Sequence, residues 1–91
     1  MIRLEGSKFT SQEVMHQQLK SALGLPEHYG ANLDALWDSL TAGVELPVKL
    51  IWNDFSKSEE YLGYYAKATL QLFEEAEAEL GGQFQIKVIR S

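Results

Sequence analysis

Three short runs rich in β-branched and aromatic residues, kept apart by helical patterns, constrain this chain more than any other feature. They cover residues 1–4, 48–52 and 84–89. Strands that alternate with helices pair in parallel through right-handed crossovers. The expected fold is therefore α/β: one compact domain over residues 1–91, with a three-stranded parallel sheet packed against three to four helices. With 91 residues, 45% of them hydrophobic, the chain can bury one such core.

The helices have their own punctuation. Thr10 is a plausible N-cap for the first, with Glu13 completing a capping box and Gly24 suiting its end near Leu23. Val14, Met15, Leu19, Ala22 and Leu23 recur on one side of it. Asn32 can cap the second helix, where Leu33, Leu36, Trp37 and Leu40 make one apolar stripe and Gly43 follows. Trp37 is read as core, and Trp52 as packed in or beside the sheet. Residues 53–60 are polar, with room for one short helical turn. A longer helix is expected from about Tyr61 to Leu80, stopped by Gly81 and Gly82.

Several function classes fall away. The chain has no cysteine, which excludes disulfides, thiolate metal sites and a thiol nucleophile and fits a reducing compartment. No apolar run approaches the roughly 20 residues that span a bilayer. The start, Met1-Ile2-Arg3-Leu4-Glu5, is too short and too charged for a signal peptide, so the expected location is the cytoplasm. There is no Gly-rich phosphate loop, HExxH or EF-hand pattern, and no cofactor is expected. His16 lies beside the apolar side of the first helix and reads as a satisfied, partly buried histidine ahead of a base. His28 sits in the following loop, beside Tyr29, where a partner could reach it. Asp34 and Asp38 could only serve a hydrolase if a cleft raised the pKa of one of them. Four apart on a helix, they project from the same side and stay wet.

Charge is distributed unevenly. The net charge is −5, from 8 basic and 13 acidic residues. Direct nucleic-acid binding is disfavoured and a basic protein partner favoured. No Lys or Arg falls between Lys20 and Lys49, a stretch holding Glu27, Asp34, Asp38 and Glu45. None falls between Lys67 and Lys87, a stretch holding Glu74, Glu75, Glu77 and Glu79. Asp34/Asp38 and Glu75/Glu79 are like-charge i, i+4 pairs, each destabilising by about 0.2–0.5 kcal/mol. Asp38 and the glutamates also lie toward helix C-termini, where the dipole prefers cations. Stability does not explain them; a field that attracts a cationic surface does, with solubility as the alternative.

The stretch Leu25-Pro26-Glu27-His28-Tyr29-Gly30-Ala31-Asn32-Leu33-Asp34-Ala35-Leu36-Trp37-Asp38 resembles the signature of the barstar family, intracellular inhibitors of the ribonuclease barnase. The match extends through Ser39, Leu40 and Thr41 to Glu45 and Pro47. The run from Leu70 to Glu79 looks like the family's last helix. The resemblance implies a cytoplasmic inhibitor, not an enzyme, that binds a basic guanyl-specific ribonuclease as a monomer in a 1:1 complex. It implies contacts from His28, Tyr29, Gly30, Asn32, Asp34, Asp38, Thr41 and Gly43, with Glu75 and Glu79 extending the acidic surface. The position matching Asp38 occupies the enzyme's phosphate site. Two departures stand out. His28 replaces a tyrosine of the best-known member that packs on a catalytic histidine, and Gly43 replaces a contact tryptophan. They keep open a barstar-like module for a different basic partner or toxin. Pro47 aligns with a cis proline of the family. A weak hydrolase or cation-binding domain is the third expectation.

Overall fold

The computed structural model describes residues 1–90. In chain order the elements are β1 (Ile2–Glu5), a 3-10 turn (Gly6–Lys8), α1 (Gln12–Leu23), α2 (Leu33–Ala42), β2 (Val48–Asn53), α3 (Phe55–Leu62), α4 (Tyr64–Glu79) and β3 (Phe84–Val88). The strands form one sheet in the order β1-β2-β3, both pairs parallel. Leu4 lies opposite Trp52, and Leu50 opposite both Ile2 and Ile86.

Sheet order equals chain order, so right-handed crossovers bring the helices to the same side of the sheet. The strands alternate accordingly. Leu4, Val48, Leu50, Trp52 and Phe84 are buried, while Arg3, Glu5, Lys49, Gln85 and Lys87 on the other face are exposed. Ile51 shares that outer face yet is buried, because the register sets the long side chains of Arg3 and Lys87 on either side of it.

Trp52 anchors the covered side. Its ring lies 5.7 Å from Phe9, 4.8 Å from Phe55 and 6.0 Å from Phe73, the last two edge-on. Its indole Nε1 donates to Ser58 Oγ at 2.9 Å, and that hydroxyl donates to the Gly6 carbonyl at 2.9 Å. The chain passes so close here that a Cβ on Gly6 would collide with the carbonyl oxygens of Asn53 and Asp54 and with the Ser58 hydroxyl.

Two expectations need correction. The N-cap of α1 is Ser11, not Thr10: Ser11 Oγ accepts from the Val14 N–H at 3.1 Å. The preceding 3-10 turn engages the Thr10 N–H with the Lys8 carbonyl and delays the helix by one residue, so Glu13 completes no capping box. Nor is there one helix over 61–80. Gly63, at φ 61° and ψ −138°, divides the segment into α3 and α4. The polar stretch 53–60 is largely α3, which buries Phe55 and Ser58. Gly24 ends α1 in the left-handed conformation, as expected, and Leu46–Pro47 is cis. Among the described residues no helix is long and apolar enough to cross a membrane.

Candidate functional site

The acidic face is built outward from the core by α2. Leu36 and Leu40 are fully buried, and Leu33 and Trp37 are half-buried against the core. At 100° per residue this stripe leaves Asp34 and Asp38 on the flank turned to solvent, and both are exposed. Asn32 fixes where the helix begins: its Oδ1 accepts from the Ala35 N–H at 2.7 Å, and its Nδ2 donates to the Gly30 carbonyl at 3.3 Å.

Helix α4 packs beside α2 and completes a groove of about 250 Å³. Leu33, Trp37, Ala68 and Leu72 give it an apolar floor; Asp34, Gln71 and Glu75 supply its polar rim. Glu75 is positioned by Gln71, whose Nε2 donates to its Oε2 at 3.2 Å. Among the described residues the ion pairs are Lys20–Glu27, Lys57–Glu60, Lys67–Glu59 and Arg90–Glu59. None of them neutralises Asp34, Asp38, Glu75 or Glu79. Such a groove suits a long cationic side chain: apolar stem on the Trp37 floor, charged head at the carboxylates.

Structure separates residues that sequence had grouped. Asp34 and Glu75, 41 positions apart, line opposite sides of the groove, whereas exposed Asp38 and Glu79 lie outside its lining. Glu77 leaves the acidic group altogether: half-buried, its Oε2 accepts the Ile86 N–H of β3 at 3.3 Å. Thr41 is half-buried and its hydroxyl is engaged by its own helix, donating to the Trp37 carbonyl at 2.9 Å. Gly43 is exposed at φ −128°, a backbone open to any residue, and a Cβ there would stand 3.3 Å from the Ser39 carbonyl oxygen, a tight contact. Trp37 packs on the core as expected, and it also lines the groove, a role its place in the apolar stripe conceals.

The loop ahead of α2 presents His28 and Gly30 to solvent. Tyr29 closes a turn, its N–H donating to the Pro26 carbonyl at 2.9 Å, and its ring points inward. Its hydroxyl lies 2.6 Å from His16 Nδ1, while His16 Nε2 lies 2.8 Å from the hydroxyl of Tyr65 on α4. A neutral imidazole donates from one nitrogen and accepts at the other, so both hydroxyls are matched. Burial holds His16 below its ordinary pKa of 6.5. Burial, with Tyr65 nearby, pushes Tyr29 up to about 12. His16 is thus a satisfied buried histidine. Its partnership with Tyr65 carries no sequence signal. Among the described residues no three His, Cys, Asp or Glu side chains gather to hold a metal.

Residues 1–89 match the model of the family described as Barstar (barnase inhibitor). The chain belongs to the barstar family. It is also 45% identical over 85 residues, 93% of each chain, to a Bacillus subtilis (strain 168) protein named "Putative ribonuclease inhibitor YrdF". Barstar-family membership places the chain among inhibitors and not among enzymes.

Proposed function

We propose that this barstar-family protein acts in the cytoplasm as an inhibitor of a small basic ribonuclease of the barnase type. It would plug the active site in a 1:1 complex with α2, the loop before it and the adjoining end of α4. The observation that carries the reading is the set of four exposed carboxylates without cationic partners among the described residues, two of them on opposite sides of an apolar groove. A ribonuclease site is a cationic pocket built for a phosphodiester. A carboxylate on a rigid helix offers comparable charge with little ordering to do on binding.

In this reading Asp38 enters the phosphate site, and Asp34 and Glu75 clasp a basic side chain that lies over Trp37. His28, Tyr29, Gly30 and Asn32 shape the approach. Thr41 and Gly43 line its far side, and Glu79 adds to the attracting field. The outer acids chiefly raise the association rate, an effect that salt screens. Asp38 chiefly lowers the dissociation rate, because its removal strands enzyme cations in a dry site.

The test is inhibition of barnase by the wild-type protein and by Asp38→Ala. Removing one partner of a buried charge pair costs about 2–5 kcal/mol, a range drawn in part from the barnase–barstar pair itself. We expect the variant to lose inhibition by that measure while folding as stably as wild type, since Asp38 is exposed and has no ion-pair partner among the described residues. An Asp38→Ala protein that still inhibits, or that unfolds, defeats the proposal. His28 and Gly43 favour a second reading, a different basic partner: an exposed imidazole and a bare backbone stand at the two ends of the contact surface. Small basic ribonucleases that all stay active at equimolar protein would establish it.

A further inference from the structure

Between Pro26 and Asn32 every residue is exposed except Tyr29. Glu27 pairs with Lys20 at 3.8 Å only at the open surface, so Tyr29 is the one side chain by which this loop grips the interior. The grip is indirect: Tyr29 reaches His16 on α1, and His16 reaches Tyr65 on α4, 49 positions away. The same helix carries Glu75, on the opposite side of the groove from Asp34. A single imidazole thus ties the loop to the helix forming the opposite wall.

We propose that Tyr65 is a positioning residue: through His16 it holds Tyr29, and with it the Pro26–Tyr29 turn, in the shape offered to the partner. That last clause rests on the function proposed above; the fastening of the loop does not. Without the Tyr65 hydroxyl, one ring nitrogen of His16 loses its partner and the imidazole is free to turn. Tyr29 then loses the fixed acceptor or donor that its own hydroxyl faces. The backbone of α4 is unaffected, because Thr69 donates to the Tyr65 carbonyl and not to its side chain. The loop, no longer held in one state, becomes competent for only part of the time, and apparent affinity falls by that fraction.

The substitution Tyr65→Phe removes the hydroxyl and keeps the ring. Its first readout needs no partner: amide hydrogen exchange of Tyr29, whose N–H closes the turn, against Leu50 and Trp52 in the central strand. A net hydrogen bond of ordinary strength predicts roughly two- to tenfold faster exchange at Tyr29 with the strand unchanged. It also predicts that Tyr29→Phe plus Tyr65→Phe exchanges no faster than Tyr29→Phe alone, although the two hydroxyls do not touch. Unchanged exchange at Tyr29, strand amides accelerating equally, or additive effects of the two substitutions would each overturn the fastening.

The second readout is association with barnase, where Tyr65→Phe should weaken inhibition roughly two- to tenfold. Asp38→Ala serves as the control. If Asp38→Ala abolishes inhibition while Tyr65→Phe leaves it at the wild-type level, the positioning role falls and the inhibitor reading stands. If wild type and Asp38→Ala behave alike toward barnase, the inhibitor reading falls and hydrogen exchange alone decides whether Tyr65 holds the loop.

Discussion

Two small polar networks stitch this protein together, and they are built on different chemistry. In one, Trp52 donates to Ser58 and Ser58 donates to the Gly6 carbonyl, all fully buried and none able to titrate near neutrality. In the other, His16 stands between the hydroxyls of Tyr29 and Tyr65, at the border between core and surface. The first joins the end of β1 to α3 and serves the fold alone. The second lies beneath the loop that leads into the acidic face. A dry, neutral network fixes geometry at every pH; a network built on imidazole holds a loop only while that imidazole keeps its proton count.

The contrast can be broken hardest at Gly6. Gly6→Ala should destabilise by about 3 kcal/mol or more, because two of the atoms its Cβ meets are backbone oxygens that cannot turn aside. Urea denaturation reads this directly, and a loss under 1 kcal/mol would mean that β1 and α3 are less tightly apposed than described. Ser58→Ala comes next. It strands the Trp52 N–H and frees the Gly6 carbonyl of its partner in a dry site, at about 2 kcal/mol. Barnase inhibition per folded molecule should be unchanged, since Ser58 is buried in α3, outside the proposed contact surface.

The smallest expected effect belongs to the second network and depends on pH. His16 titrates below 6.5 in the folded protein and near 6.5 in the unfolded chain. As pH falls through about 6.5, the unfolded chain gains a proton that the folded protein does not. The His16 contribution to stability is therefore complete above that pH and lost progressively toward the folded value. Urea midpoints at pH 7.5 and 5.5 should show the decline. An NMR titration of the two imidazoles should show His16 protonating at lower pH than 6.5. An unshifted His16 would place it outside the buried network.

Much of the fold could be read in advance because it is periodic or punctuated. The α2 stripe at Leu33, Leu36, Trp37 and Leu40 needs only the helical repeat, and Asn32 and Gly24 announce their caps. α3 escaped because its inner side holds only Phe55, Ser58 and Leu62 in eight residues, too short a run to stand out, and Ser58 owes its place inside to a tryptophan six positions earlier. The first cap was misplaced by one residue because Thr10 and Ser11 are equally good caps in isolation, and the 3-10 turn before them decides.

The acidic face divides the same way. That Asp34 and Asp38 share an exposed flank of α2 follows from a spacing of four, a local property of the helix. That Glu75 rather than Glu77 reaches the groove follows from which side of α4 meets α2 and which meets β3. Sequence by itself determined the strands, the helical patterns between them that make parallel pairing the expectation, and the presence of a helix bearing charge against its own stability, since periodicity and caps are local; it did not separate α3 from α4. Only the tertiary structure decided that Tyr29, His16 and Tyr65 share one imidazole and that Asp34 and Glu75 line one groove. Those partners are far apart in the chain, and burial, not local preference, selects them.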